Sequence, residues 1–150
     1  KLPYEPSWVD DSGFAFQHHY YGPTPGELRY QKANKSRTEE FQCAQYIDAL
    51  DEVEYWVRNL SRKPSSFRLQ TSTDYFYPDF VCHLKDGRVL VIEFKGGDEG
   101  EAWYSTPDSQ EKRMVGAIWE ARSKGRCLFL MPPGPQWDLI DKKIRGEALP

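Results

Sequence analysis

No apolar run in this chain approaches the ~20 residues of a membrane-spanning helix, so neither a span nor a membrane partner is expected. Cysteine is scarce: Cys43, Cys82 and Cys127 are the three present, far apart and odd in number. Each sits in an apolar segment, which argues against a disulfide framework or a metal knot. Free buried thiols in a cytoplasmic protein are expected instead. The sequon "NLS" at Asn59 then carries no glycan. A basic excess is missing too. The net charge is −3, whereas a stand-alone DNA-binding protein is usually basic, because phosphate contacts supply most of its affinity. If this chain acts on nucleic acid, another domain is expected to hold the substrate. No nucleotide-binding motif occurs, so any ATP dependence lies elsewhere. The opening "KLPYEPSWVDDSG" shows no signal-peptide pattern and reads like the middle of a longer polypeptide. Internal repeats and low-complexity tracts are absent.

What is present is an ordinary folded composition, 39% hydrophobic and 15% aromatic over 150 residues, enough for one domain with a real core. Residues 1–35 form an extension rich in aromatics, Pro and Gly, with one or two short strands expected around Phe14–Tyr21. His18 and His19 would face opposite ways in such a strand and are read as strand surface. Residues 36–131 form the core and 132–150 a final helix and tail.

The first helix begins at "SRTEEFQCAQYIDAL", where Ser36 and Glu39 have the spacing of a capping box. Glu40 has no such local role, yet falls at helical spacing with the apolar Cys43, Ala44 and Ile47. A carboxylate on a buried stripe is informative. Strands are expected at Glu52–Asn59 and Phe67–Ser72. After an acidic loop, Thr106-Pro107 supplies an N-cap and an N1 proline. That helix should run to about Lys124, with Met114, Val115, Ile118, Trp119 and Ala121 as its apolar face. "RCLFLM" (Arg126–Met131) reads as a strand buried on both faces, and "QWDLIDKKI" as a short last helix. The order is helix, strands, helix, strand, helix around one mixed sheet.

The stretch "YFYPDFVCHLKDGRVLVIEFKGG", Tyr75 to Gly97, alternates like a buried hairpin but carries Asp79, Glu93 and Lys95 among its apolar residues. Its turn, "KDGR", admits two registers. A two-residue Asp86-Gly87 turn sets Asp79 opposite Phe94. A three-residue loop with Gly87 left-handed sets Asp79 opposite Glu93, with Lys95 on the same face. Two bare carboxylates that close repel, and a divalent cation removes that repulsion; Mg²⁺ typically takes one or two carboxylates and keeps several waters. The bland reading is a surface Glu93–Lys95 pair and Asp79 as a turn residue. Finding both motifs in one hairpin, flanked by Val81, Val89, Val91 and Ile92, favours the metal.

"PDF" (Pro78–Phe80) and "EFK" (Glu93–Lys95) resemble the PD-(D/E)xK nuclease superfamily. With "EEFQCAQYIDALDEVEYWVRN", "YPDFVCHLKDGR", "EFKGG" and "DSQEKRMVGAIWE", the chain over roughly Gly26–Met131 is similar to the C-terminal nuclease domain of helicase-nucleases akin to type III restriction enzyme Res subunits. The resemblance implies an α/β fold with a restriction-endonuclease-like core, a central mixed β-sheet flanked by α-helices. It implies Asp79, Glu93 and the Phe94 backbone carbonyl as metal ligands, and Lys95 as the residue that positions and polarises the attacking water. Glu40 matches a helical glutamate near a second metal or acting through water. The segment "RYQKANKSRTEE" is longer than the family's, leaving Glu39 and Gln42 as alternatives for that role. Lys112 matches a lysine placed near the site, either clamping phosphate or pairing with Asp108.

By this resemblance the chain is a Mg²⁺-dependent DNA endonuclease domain, with Mn²⁺ able to substitute, leaving 5′-phosphate and 3′-hydroxyl ends. An ATP-dependent helicase domain in the full-length chain, a modification or other defence subunit, and a role in restriction or phage defence are implied with it. The clusters Arg58/Arg62/Lys63 and Arg122/Lys124/Arg126 are either phosphate contacts or solvated faces. The competing readings are a catalytically inactive nuclease-fold scaffold and an RNA- or junction-directed nuclease.

Overall fold

Helix α1, Glu39–Ala49, starts where Thr38 takes an extended conformation and its hydroxyl accepts the Phe41 amide at 3.1 Å. The cap is therefore Thr38 rather than the expected Ser36, and Glu39 stands at the first helical position. The computed structural model describes residues 14–21, 38–94 and 106–149; Ser36, Lys95 and the acidic loop before Thr106 lie outside them. After α1 come β1 (Val53–Arg58), β2 (Leu69–Gln70), β3 (Tyr75–Phe76), β4 (Phe80–Leu84) and β5 (Val89–Ile92). Helix α2 (Pro107–Arg122), β6 (Cys127–Leu130) and α3 (Asp138–Arg145) complete the order. Among the described residues no helix is long and apolar enough to cross a membrane.

The result is a mixed α/β architecture. Four strands form a sheet in the order β1-β4-β5-β6, antiparallel except for the parallel β5–β6 pair. The expected strand at Phe67–Ser72 does not join it. Only Leu69 and Gln70 are extended, and they pair with β3 in a separate two-stranded ladder.

Alternation along the strands divides the core between two faces of the sheet. Phe80, Cys82, Leu90 and Ile92 pack with Phe41, Cys43, Ala44 and Ile47 of α1 and with Leu139, Ile140 and Ile144 of α3. Val91 and Phe129 pack the other face with Phe76 and Met131, against Val81, Val89 and Trp119. Strand β6 is thus covered on both faces, as its apolar run predicts, although it lies at the sheet edge. Its outward amides are taken by α2 and the turn after it: Ser123 Oγ accepts the Cys127 amide at 2.9 Å and Glu120 Oε2 the Phe129 amide at 3.0 Å. Glu120 also meets Lys143 at 2.6 Å, tying α3 to the same edge. On the first face Tyr46 donates to Asp141 at 2.5 Å, and burial followed by that bond pushes the Tyr46 phenol up to about 12.

Two further regions differ from expectation. Helix α2 begins at Pro107 under a Thr106 cap, as its residues predict, but Met114 and Ile118 are 64% and 47% exposed. The residues it buries are Ser109 and Gly116. Gly116 lies against Phe129, and a Cβ there would fall under 3.0 Å from the ring. Backbone approach at Gly116 together with the Trp119 ring of the expected face, rather than Met114 and Ile118, seats this helix. Gly116→Ala is accordingly expected to destabilise the fold by about 1–2 kcal/mol. Overpacking of about 1–3 kcal/mol outweighs a helix-propensity gain of about 1 kcal/mol. Urea melts alongside Ala117→Gly, an exposed control that carries only the propensity term, check this; a Gly116→Ala protein as stable as wild type would refute it.

The segment 14–21 is the second. It forms no strand, only a parallel bridge between His19 and Trp56, with Trp56 N donating to His18 O at 3.0 Å and Tyr20 N to Trp56 O at 2.9 Å. The buried Asp48 carboxylate accepts the amides of Gln17 and His18 at 2.9 and 2.7 Å and the Trp56 indole at 2.9 Å. His18 stays on the surface. His19 does not: it is 6% exposed, packs on Trp56, and its Nε2 accepts the Arg58 amide at 3.3 Å.

Candidate functional site

The hairpin loop decides the geometry of the site. Gly87 has φ +93°, Leu84 N donates to Arg88 O, and Gly87 N donates to Leu84 O, both at 2.9 Å. Lys85, Asp86 and Gly87 therefore form a three-residue loop, which only a left-handed third residue can close without strain. Phe80 pairs with Ile92 and Val81 with Val91. Continued by one residue, this register sets Asp79 across from Glu93; of the two registers the turn admits, this one is adopted.

Both carboxylates sit where the ladder ends. Asp79 Oδ2 accepts the Phe94 amide at 2.8 Å, while Glu93 N donates to Leu130 O of β6 at 3.0 Å. The Asp79 side chain is 19% exposed and that of Glu93 9%. Lys112 of α2 places Nζ 3.7 Å from Glu93 Oε2 and 3.3 Å from Asp108 Oδ2. The two roles foreseen for it are thus not exclusive: it pairs with Asp108 and still faces the site, over the Phe76 ring at 5.0 Å. Lys95 lies outside the described residues.

Glu40 reaches the same mouth from α1 through Arg58, whose Nη2 is 2.9 Å from Glu40 Oε1 and 3.5 Å from Asp79 Oδ1. Arg58, grouped from the sequence with Arg62 and Lys63 as a surface cluster, is instead interior, its side chain only 10% exposed. Arg62 does stay in solvent, opposite Asp74. Glu40, Asp79 and Glu93 with Arg58 and Lys112 so meet from α1, the residue before β4, the residue after β5, β1 and α2.

Asn59 holds this mouth in shape. It is 1% exposed; its Nδ2 donates to Pro78 O at 2.9 Å and Phe67 O at 2.8 Å, and its Oδ1 accepts the Phe67 amide at 3.1 Å. Its own amide donates to Asp79 O at 2.8 Å. An asparagine so enclosed has no access for a glycan. The sequence marks Arg58 as one of a basic cluster and Asn59 as a sequon, and neither as part of this site. The one available signal is that two polar residues end the alternating β1 pattern where an apolar residue would continue it.

Beneath the site lie two thiols with no disulfide partner, Cys43 and Cys82, both fully buried, while Cys127 is half-buried. Burial pushes the Cys43 thiol well up, with the neighbouring Cys82, Asp79 and Glu40 adding to it, and burial alone raises Cys82. Both are held as inert thiols.

Among the described residues no group of three or more His, Cys, Asp or Glu has the arrangement of a metal cage. The available donor set is the Asp79–Glu93 carboxylate pair, all oxygen. Compared with protein-family profiles, curated proteins and solved structures, the chain matches none.

Proposed function

We propose that this chain is a Mg²⁺-dependent endodeoxyribonuclease domain on a restriction-endonuclease-like core, hydrolysing DNA phosphodiesters. The observation that carries the reading is the opposed placement of Asp79 and Glu93 at the end of the β4–β5 ladder, beside the buried apolar residues of both sheet faces. Two neighbouring carboxylates with little exposure repel each other and are costly unless positive charge compensates them.

Asp79 and Glu93 fit a hard cation: both are oxygen donors, they come from adjacent strands, and Mg²⁺ completes its shell with water. Arg58 and Lys112 stand 3.5 and 3.7 Å from them, farther than charge-assisted bonds of about 2.7–2.9 Å, and each carboxylate offers about four lone-pair sites. When bound, such a cation acidifies water and offsets charge on the phosphoryl oxygens. The chain's own residues do the rest. Asp79 is fixed by the Phe94 amide, so the carboxylate cannot rotate away. Lys112 brings a positive charge beside Glu93, where a phosphate oxygen can be met. Lys95, two residues after Glu93 in the sequence, is proposed to polarise the attacking water. Substrate delivery by an ATP-driven helicase domain of a longer chain, in a defence system, accords with the net charge of −3.

A second reading has its own observation. Arg58 and Lys112 already give both carboxylates a protein counter-charge, which suits a catalytically silent scaffold. Nicking of supercoiled plasmid by the chain at high concentration separates the two. Nicking with Mg²⁺ or Mn²⁺, abolished by EDTA, is expected; no metal-dependent nicking, with the helicase partner present or absent, leaves the scaffold reading standing.

A further inference from the structure

Arg58 ties α1, β1 and the start of β4 together through one guanidinium. Beyond its contacts with Glu40 and Asp79 at 2.9 and 3.5 Å, Nη1 donates to the backbone carbonyls of Asn59 and Asp79, the latter at 3.2 Å. The group also lies 5.8 Å from the Phe80 ring centroid. A guanidinium stays charged at any ordinary pH, so this is a permanent positive charge. To swing clear it would have to give up both carbonyls and the Glu40 carboxylate together. It is therefore fixed, unlike a surface arginine that folds over an incoming phosphate.

We infer that Arg58 is a resident cation filling the space between Glu40 and Asp79, so that the site takes one divalent ion, on Asp79 and Glu93, and Glu40 is a positioning residue rather than a metal ligand. The inference rests on the metal-centre reading above. Two-ion sites hold their ions about 3.5–4 Å apart on a shared carboxylate. Asp79 is the carboxylate that would be shared. Its Oδ1 faces Arg58 and its Oδ2 takes the Phe94 amide, leaving lone pairs for the ion shared with Glu93. An ion on the Glu40 side would sit against the guanidinium, and like charges at that separation repel. Glu40 instead neutralises Arg58 and holds it in line, which keeps Asp79 oriented from below.

Mn²⁺ titration of the chain without nucleic acid, read by electron paramagnetic resonance, tests this by counting ions. Wild type and Arg58→Lys should bind one ion per chain, and Asp79→Ala none. Arg58→Gln should bind two, with the broadened spectrum of coupled ions. Two ions on wild type, or a single ion on folded Arg58→Gln, overturns the role of Arg58 while leaving the metal centre intact. Should Arg58→Gln not fold, Glu40→Gln decides: it should keep its one ion, and loss of that ion would make Glu40 a ligand and overturn the inference. No ion on wild type defeats the metal-centre reading itself, and the inference with it.

Discussion

An Asp79→Asn protein should fold normally and cleave DNA at least about 100-fold more slowly, the effect of removing one electrostatic contributor from a reacting centre. Asparagine is nearly isosteric, and its carbonyl oxygen can still accept the Phe94 amide that Asp79 Oδ2 accepts. What is lost is the charge and the Oδ1 acceptor facing Arg58, where the amide NH2 now stands as a donor. Arg58 keeps Glu40 and two carbonyls as partners, so the stability loss is expected to be about 1–2 kcal/mol, within the ordinary range for a single substitution. That corresponds to a melting shift of about 2–8 °C. The pairing of a large activity loss with a small stability loss separates a reacting carboxylate from a structural one. Plasmid nicking and thermal melts on one preparation measure both. Undiminished cleavage by Asp79→Asn would remove the hairpin from the mechanism.

Asn59→Ala is expected to do the reverse and strike the scaffold first. Three hydrogen bonds disappear, to Pro78 O, Phe67 O and Phe67 N. A buried group left without a partner costs about 1–3 kcal/mol. The Pro78 carbonyl is the most enclosed of the three, and water can partly reach the Phe67 groups, so a total of about 3 kcal/mol is expected. Because Pro78 precedes Asp79, the loosened segment should also lower cleavage at temperatures where the protein remains folded. Asn59→Asp should not rescue it, since a carboxylate cannot donate to either carbonyl and brings an unneutralised charge indoors. Urea unfolding gives the stability term. A midpoint within experimental error of wild type would mean that Asn59 does not hold the mouth together.

Much of the architecture was legible because it rests on local rules. Thr106-Pro107 marks the start of α2 through capping chemistry that needs no tertiary partner. Gly87 marks the hairpin through backbone freedom, and the alternation of Phe80 to Leu84 against Val89 to Ile92 marks the strands. Legibility failed where a choice depended on what packs across space. Met114 and Ile118 form a plausible apolar stripe, yet Gly116 is the residue that lets α2 approach Phe129. Leu69 and Gln70 have strand character but no place in the main sheet. Arg58 reads as one of three clustered cations, and only the approach of α1 to the start of β4 turns it inward.

By itself, then, the sequence determined the order of the main elements, the Thr106 cap of α2, and the presence of Asp79 and Glu93 on the two arms of one hairpin. It left two registers open, because both loop lengths satisfy the turn chemistry of Lys85-Asp86-Gly87-Arg88. Tertiary structure chose between them. The chosen register keeps Phe80, Cys82, Leu90 and Ile92 under α1 and α3, and Val81 and Val91 on the opposite face. A slip of one residue between the strands would send one strand's apolar set to the wrong face. The opposition of Asp79 and Glu93 follows from that burial, and so does the position of Arg58 between Glu40 and Asp79.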